Sequence, residues 1–192
     1  WSSDVCSSDL LTLTSHVYAP MALIVSPSFW GSLNAAQKTA FTEAAKKGAL
    51  ASRAFVDNVE KKGVEEAKAN GMKFLLDFHY SDFWTDPGRQ NKPKAWANMS
   101  IEQMTQALHD YTKSTVAEFK KAGVLPDMVQ IGNEINSGML WPEGKSWGQN
   151  GGEFDRLAGL LKAGINGVKE NLDKGDNVKI MLHLAEGTKN DT

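Results

Sequence analysis

Three short apolar runs, separated by two amphipathic helical patterns, constrain the fold of this chain more than any other feature. The runs are FLLDFH (74–79), DMVQIG (127–132) and VKIMLHL (178–184), and they recur about every 50 residues. Short, mostly apolar runs of this kind are typical of strands that are covered on both faces, as in parallel sheets. The order strand, helix, strand, helix, strand therefore predicts parallel strands joined by right-handed crossovers.

Clear start and stop signals bound the two helical patterns. Ser100 with Gln103 has capping-box spacing before the first pattern, Gly123 and Pro126 close it, and the second pattern covers about residues 154–172. No glycine-rich phosphate loop follows any of the three runs, which weakens the alternative of a doubly wound nucleotide-binding sheet. A (β/α) barrel with long loops fits better. Since a complete barrel has eight strands in about 250 residues, we predict a partial one.

The chain before the first apolar run has a different pattern. Residues 11–73 open with a β-rich stretch that contains a plausible strand near Met21–Val25. Asn34 with Gln37 then has capping-box spacing, and an Ala-, Lys- and Glu-rich helical periodicity continues to about Asn70. This part predicts one or two amphipathic helices, with weak points at two internal glycines.

Polar side chains stand where each apolar run ends. Asp77 and His79 end the first run, Asn133 and Glu134 follow the second, and His183 ends the third. Because side chains alternate between the two faces of a strand, Asp77 and His79 share a face. One polar strand end is usually structural, but the active sites of barrels gather at the carboxyl ends of the strands. Three polar ends together therefore predict a functional site.

Carboxyl groups near these ends raise the possibility of glycoside cleavage. That reaction needs two of them, about 5–5.5 Å apart for retention of configuration and about 6.5–9.5 Å apart for inversion. One stays protonated to donate to the leaving oxygen, and the other attacks or activates water. Glu134 could be the donor, and we interpret Asp77 as an orienting or hydrogen-bonding group inside the barrel. The remaining acids we interpret as solvated loop residues: Asp82, Asp86, Glu143 and Glu186.

Tryptophans are concentrated in and beside the predicted strand-to-helix loops. Aromatic faces with polar rims suit the C–H faces of sugar rings, because they bury a large area and keep edge polarity. Trp84 and Trp141 lie closest to the strand ends, and we predict that they line a cleft. For Trp96 and Trp147 we favour the alternative that they simply cover the barrel.

Two long motifs carry a resemblance to a known family. FLLDFHYSDFWTDPGRQNKPKAW (74–96) together with VQIGNEINSGMLWPEG (129–144) closely resembles glycoside hydrolase family 53, the arabinogalactan endo-β-1,4-galactanases. The resemblance extends from about residue 66 to Thr192. It implies a (β/α)8 fold of which the three runs are strands 3 to 5. It also implies retaining endo-hydrolysis of β-1,4-galactosidic bonds in (arabino)galactan, no cofactor or metal, and a secreted or periplasmic location.

The same resemblance implies roles for individual residues. Glu134 would be the general acid/base at the end of the fourth strand, with Asn133 beside it holding the 2-hydroxyl of the sugar. The nucleophile of the family is a second glutamate on the seventh strand, so we expect the chain as written to be inactive. An open part-barrel also leaves sheet edges unpaired, so a chain that does not fold stably is a further alternative. The predicted substrate-binding residues are Asn133, His79, Trp84, Trp141, Asp77 and His183.

The first part of the chain resembles something else. WSSDVCSSDL (1–10) matches nothing that follows, reads as a translated sequencing adapter, and contains the single cysteine. Residues 11–73 resemble the C-terminal part of solute-binding proteins of TRAP-type dicarboxylate transporters, which bind organic acids through an arginine clamp. The alternative function is therefore a periplasmic organic-acid-binding protein. Because the two resemblances meet at AKANGMK (67–73), we predict a chimera of three parts: 1–10, 11–73 and 74–192.

Charge and hydropathy exclude two classes of partner. The chain has 21 basic and 23 acidic residues and a formal net charge of −2, so nothing indicates a nucleic-acid partner. No apolar run approaches the roughly 20 residues that span a bilayer. We therefore expect galactan polysaccharide or oligosaccharide as the partner, with no nucleic acid and no membrane span.

Overall fold

The structure is a computed structural model that describes residues 10–13, 25–148 and 152–186. Two expectations from the sequence concern other residues: the adapter-like tail up to residue 9, and the strand near Met21–Val25, of which only Val25 is described. The described helices and strands are β1 (Leu10–Leu13), α1 (Pro27–Ser32), α2 (Ala35–Ala69), β2 (Lys73–Phe78), α3 (Ile101–Lys121), β3 (Met128–Ile131), β4 (Gly138–Met139), β5 (Gly144–Lys145), α4 (Phe154–Lys169) and β6 (Lys179–Met181).

The chain divides into two compact units. One is Tyr18–Glu66, and the other, called here the sheet unit, is Trp1–Val17 with Ala67–Thr192. The sheet unit contains a four-stranded parallel sheet in the order β1-β2-β3-β6. Helix α3 connects β2 to β3, and α4 lies between β3 and β6. The predicted alternation of parallel strands and helices is therefore confirmed for the described residues.

Two strands differ from their sequence predictions. The third run was predicted to form a strand over 178–184, but β6 covers only Lys179–Met181. These residues pair with Met128–Gln130 of β3, and β3 itself ends at Ile131. Beyond this pairing Leu182 and Leu184 are 46% and 55% exposed, so their apolar character does not mark a buried strand. Strand β1 was not predicted, and it pairs in parallel with the first four residues of β2.

Helix α2 is a single helix of 35 residues. Its start is capped reciprocally, because the Gln37 N–H donates to Asn34 Oδ1 and the Asn34 N–H donates to Gln37 Oε1, both at 2.9 Å. The two predicted weak points, Gly48 and Gly63, do not interrupt it. Just beyond its end Gly71 has a φ of +77°, a conformation that glycine adopts without strain.

A short helix that the sequence patterns did not predict precedes α2. Helix α1 starts at Ser26, whose hydroxyl accepts a hydrogen bond from the Phe29 N–H at 3.2 Å. The rings of Phe29 and Trp30 both pack edge-on against Phe41 of α2, with centroids 6.0 Å away. Its six residues are too few to show a periodic apolar pattern, and an aromatic cluster stabilises it instead.

Helix α3 begins with the predicted capping box, in which Ser100 and Gln103 satisfy one another's backbone N–H groups. Of its apolar residues Met104, Leu108 and Val116 are fully buried, whereas Tyr111 is 51% exposed. The core of the sheet unit lies between the sheet and its two long helices. Its fully buried larger side chains in these elements are Phe74, Met104, Leu108, Val116, Val129, Ile131, Leu160 and Val168.

Two glycines of α4 allow close contact with the rest of the core. A Cβ added at Gly167 would lie 2.7 Å from the backbone oxygen of His109 in α3. A Cβ added at Gly164 would lie 2.8 Å from Ile131 Cγ2 and 3.1 Å from the Tyr80 hydroxyl oxygen. A side chain at either position would therefore force the helix away from its neighbours.

A carboxylate fixes the amino ends of β2 and β3 against each other. Asp127, just before β3, accepts a hydrogen bond from the Phe74 N–H at 2.9 Å. It also lies 3.1 Å from Lys68 Nζ and 3.3 Å from Lys73 Nζ. Asp127 therefore acts at the amino ends of these strands, whereas the predicted site residues lie at the opposite, carboxyl ends.

The close contact between α4 and α3 predicts that alanine destabilises the protein at Gly167 but not at Gly159. Replacing Gly167 by Ala should lower the free energy of unfolding by about 1–3 kcal/mol, because the new methyl group meets the backbone of α3. Gly159 on the same helix is the matched control, since no described atom lies within 4 Å of its added Cβ. Ala there should be neutral or stabilising by up to about 1 kcal/mol. Urea unfolding measures both, and equal effects would contradict the packing argument.

A second prediction concerns pH, through an ion cluster that joins α3 to the end of α4. Hydrogen bonds to the carboxylates of Asp110 (2.8 Å) and Glu170 (3.1 Å) raise the pKa of His109. A raised pKa contributes stability below the unfolded value of about 6.5, and the contribution is lost as the pH rises through the folded pKa. The difference in unfolding free energy between wild type and His109→Gln should therefore be larger at pH 5.5 than at pH 9. A difference that does not change with pH would refute this.

Candidate functional site

Polar side chains meet where β2 and β3 end. The register of the two strands places Asp77 opposite Gln130. Of the predicted site residues, Asp77, His79, Asn133 and His183 all join one hydrogen-bonded network there. The sequence prediction that the strand ends contribute side chains to one place agrees with this geometry.

Five buried residues form a closed circuit of polar contacts, in which four links are hydrogen bonds and the fifth is a close contact between His79 and Asp77. Asp77 Oδ2 lies 3.2 Å from His79 Nε2, and His79 Nδ1 lies 2.9 Å from the Thr85 hydroxyl. The Thr85 carbonyl accepts from Asn133 Nδ2 at 2.8 Å, and Asn133 Oδ1 accepts from Gln130 Nε2 at 3.2 Å. Gln130 Nε2 also donates to Asp77 Oδ1, which closes the circuit. Each of the five residues is at most 8% exposed, so the four hydrogen bonds satisfy polar groups that water does not reach.

The circuit determines which nitrogen of His79 carries the proton. The backbone N–H of Thr85, which can only donate, points at His79 Nδ1 from 3.2 Å. Nδ1 must therefore act as an acceptor, and the ring proton resides on Nε2, facing the carboxylate of Asp77. The carboxylate of Asp77 therefore lies beside the protonated nitrogen of His79.

The same reasoning gives His183 the opposite tautomer. Since Asn133 Nδ2 donates to the Thr85 carbonyl, the amide oxygen of Asn133 faces the other way, toward His183. His183 Nδ1 lies 2.7 Å from that oxygen, which can only accept. The proton of His183 is therefore on Nδ1, and the lone pair on its Nε2 is directed away from Asn133.

Glu134 occupies an unusual backbone conformation directly after β3. Its φ and ψ are +50° and +48°, in the left-handed region, and Gly132 two residues earlier has a φ of +79°. A residue other than glycine in this region stores strain of about 1–3 kcal/mol, and such residues cluster at functional sites. The residue is half-buried. Among the described residues, no hydrogen bond or ion pair engages its carboxylate, which stays available for an external group.

Tryptophans surround these strand ends. The Trp84 ring lies 4.9 Å from that of His79 and is 42% exposed. Trp141 is held by a hydrogen bond from its indole N–H to the Ser137 carbonyl at 2.9 Å, and its ring packs edge-on against Trp147 at 5.8 Å. Trp147 is 51% exposed and adjoins the ring of Trp141. Trp96 is half-buried.

Sequence reasoning missed two buried members of the site, Thr85 and Gln90, each 1% exposed. Both lie in the long polar loop after β2, where no periodic pattern distinguishes a buried polar side chain from a solvated one. Their only sequence signal is membership of the motif at 74–96.

An ion pair joins this loop to the next one, since Lys92 Nζ lies 2.7 Å from the carboxylate of Glu143. Glu143, interpreted from sequence as solvated, is instead 21% exposed and paired.

Two further properties bear on chemistry. Within residues 10–13, 25–148 and 152–186, no group of three His, Cys, Asp or Glu side chains is arranged to hold a metal ion. No helix in the described part of the chain is long and apolar enough to cross a membrane. A cavity of about 280 Å³ lies beside the end of β2, and its lining includes Asp77, His79, Trp96 and Tyr111 but not Glu134.

Comparison with known proteins relates the chain to carbohydrate-active enzymes. The family model "Glycosyl hydrolase family 53" matches residues 34–192, beginning upstream of residue 66, where the sequence resemblance begins. An arabinogalactan endo-β-1,4-galactanase of Cellvibrio japonicus is 42% identical over 127 residues, which are 65% of this chain and 34% of that protein. An endo-β-1,4-galactanase of Bacillus subtilis is 40% identical over 134 residues, or 67% of this chain and 28% of that protein.

Solved structures give the same relation. The GH53 catalytic domain of Ignisphaera aggregans is 44% identical with a TM-score of 0.58, covering 65% of this chain and 32% of that one. A fungal β-1,4-galactanase is 38% identical with a TM-score of 0.58, covering 66% and 36%. The chain thus spans about a third of the length of the relatives that it matches. This agrees with the prediction of a partial barrel.

The circuit predicts opposite tautomers for two histidines. Long-range ¹H–¹⁵N correlation spectra near pH 8 should show the proton on Nε2 in His79 and on Nδ1 in His183. His109, which contacts carboxylates through both nitrogens, serves as the control and should show both nitrogens protonated at a pH below its raised pKa. Finding His79 and His183 in the same tautomer would show that the circuit is assigned incorrectly.

Proposed function

Since the chain belongs to glycosyl hydrolase family 53, we propose that it carries the acid/base part of an endo-β-1,4-galactanase site, with Glu134 as the general acid/base. The observation that carries the proposal is the conformation of Glu134: a left-handed residue at the end of β3 whose carboxylate is not engaged by the described residues. Glu134 directly follows Asn133, which belongs to the buried polar circuit. The galactanase names of the relatives support this choice of substrate class.

In this proposal, Glu134 donates its proton to the glycosidic oxygen as the bond to the leaving sugar breaks, and later takes a proton from the attacking water. Asn133 uses one amide hydrogen for the Thr85 carbonyl. Its second amide hydrogen would bind the 2-hydroxyl of the sugar, where a hydrogen bond strengthens in the transition state. A second carboxylate acts as the nucleophile in a retaining reaction, and the proposal assigns it to no described residue.

The proposed substrate cleft combines aromatic and polar groups. Trp84 and Trp141 would stack against the C–H faces of galactose rings. His183 would accept a hydroxyl hydrogen at Nε2, because its Nδ1 proton is already bound to Asn133. Asp77 and His79 would act mainly by holding one another and Thr85 in place. Because galactan is a polymer outside the cell, a secreted or periplasmic location is part of the proposal.

A second candidate concerns the other compact unit. The unit Tyr18–Glu66 lies within residues 11–73, whose sequence resembles TRAP-type solute-binding proteins. The proposal there is a fragment of an organic-acid-binding protein joined artificially to the galactanase part. Thermal stabilisation by succinate or malate would support it, and no stabilisation would count against it.

Binding of β-1,4-galactotetraose tests the galactanase proposal without requiring turnover. The ligand should shift the indole N–H signals of Trp84 and Trp141, and Trp141→Ala should weaken binding about tenfold or more through loss of stacking area. Trp30→Ala, in the other unit, is the matched control and should leave the affinity unchanged.

Turnover tests the role of Glu134 itself. In any preparation that releases reducing sugar from galactan, Glu134→Gln should lower kcat by about 10²–10⁴-fold. Unaltered turnover in Glu134→Gln, or an absence of galactotetraose binding, would overturn the proposal.

A further inference from the structure

A buried glutamine contacts the backbone of Glu134 from the neighbouring loop. Gln90 lies in the loop between β2 and α3 and is 1% exposed. Its Nε2 donates to the carbonyl of Asn133 at 2.8 Å and to the carbonyl of Glu134 at 3.2 Å. A third contact, to the Asp86 carbonyl at 3.1 Å, holds the glutamine within its own loop. The two hydrogens of Nε2 are shared among these three backbone carbonyls, and because a carbonyl can only accept, the orientation of the Gln90 amide is fixed.

These contacts fix the two peptide planes that determine the conformation of Glu134. The carbonyl of Asn133 belongs to the peptide before the Glu134 Cα, and the carbonyl of Glu134 belongs to the peptide after it. Rotation of these planes about the Cα is what φ and ψ describe. In a helical conformation, left-handed included, successive carbonyls point in similar directions, whereas in a strand they alternate. One nitrogen therefore reaches both carbonyls only while Glu134 keeps a helical backbone.

Residues 90–92 also bind the far part of the loop that follows β3, near Trp141. The carbonyl of Gln90 accepts a hydrogen bond from the Trp141 N–H at 2.8 Å, and Asn91 forms a parallel bridge with Trp141. The ion pair of Lys92 with Glu143 at 2.7 Å follows directly. The side chain of Gln90 thus binds one end of the loop while its backbone binds the other.

We propose that Gln90 is a positioning residue that holds Glu134 in its left-handed conformation and so aims the carboxylate at the bond to be cleaved. The proposal rests on the proposed role of Glu134 as acid/base. Strain at Glu134 must be offset by the surrounding structure, and the two bonds from Gln90 act directly on the strained torsions. The side chain of Gln90 is needed for this, while its backbone carbonyl alone serves Trp141.

The first test is Gln90→Leu in the full 192-residue chain, which removes the donor and keeps a similar volume. We expect the ¹³Cα and ¹³Cβ signals of Glu134 to shift toward extended values, because the two hydrogen bonds to its flanking carbonyls are lost. Gln106→Leu is the matched control, because Gln106 is an exposed glutamine of α3 that bonds only Asp110 in the described structure. Unchanged Glu134 signals in Gln90→Leu, or the same shift in the control, would overturn the proposal.

Gln90→Glu keeps the proposal testable if the leucine variant does not fold. The introduced carboxyl group can donate one hydrogen bond to a backbone carbonyl when protonated, but it repels both carbonyls when ionised. The Glu134 signals should therefore resemble those of the wild type at low pH and move away as the introduced group ionises. Signals that stay constant with pH, or a variant that unfolds without first moving them, would contradict a positioning role.

A binding and turnover measurement separates this proposal from the one on which it rests. Gln90→Leu should change the dissociation constant of galactotetraose less than about threefold, because the bond to Trp141 is made by the backbone. Where galactan turnover is measurable, kcat should fall about 100-fold, as expected for a misplaced acid. A wild-type chain that does not bind galactotetraose refutes the galactanase function, while the Glu134 signals still decide what Gln90 does.

Discussion

The hydrogen bond between Asp77 and Gln130 is the interaction on which the arrangement of the strand ends depends. It joins neighbouring strands at the level where both leave the sheet, in a region that water does not reach. Buried polar groups there cost free energy unless each has a partner, and a carboxylate costs most. His79 and Asn133 complete the set of partners. The polar residues therefore hold one another in single orientations, which is the preorganisation that a catalytic site requires.

Much of the fold was predictable because it depends on local or periodic signals. The capping boxes at Asn34 and Ser100 and the two buried strands β2 and β3 follow directly from residue types and spacing. Strand β1 was missed because its pairing with β2 is a contact distant in sequence. The third strand was predicted too long, because an apolar run shows neither how far its neighbour extends nor which of its leucines stay exposed.

The candidate site was predictable only in part, for a related reason. Residues at the ends of apolar runs, such as Asp77 and Asn133, could be located from the strands that carry them. Thr85 and Gln90 lie in a long loop without a periodic pattern, and only the three-dimensional path of that loop reveals their burial. The left-handed conformation of Glu134 likewise left no mark in the sequence apart from the neighbouring Gly132.

The glycines of α4 give the sheet unit a property that the strand ends alone do not suggest. Gly164 faces both Ile131, the last residue of β3, and the hydroxyl of Tyr80, which follows β2. Both neighbours lie within three residues of the side chains in the polar circuit. The distance between α4 and the sheet therefore affects the positions of the strand residues that carry those side chains. A substitution in α4 would change the orientation of an acid or an amide at the strand ends, with no change to any residue that a substrate would touch.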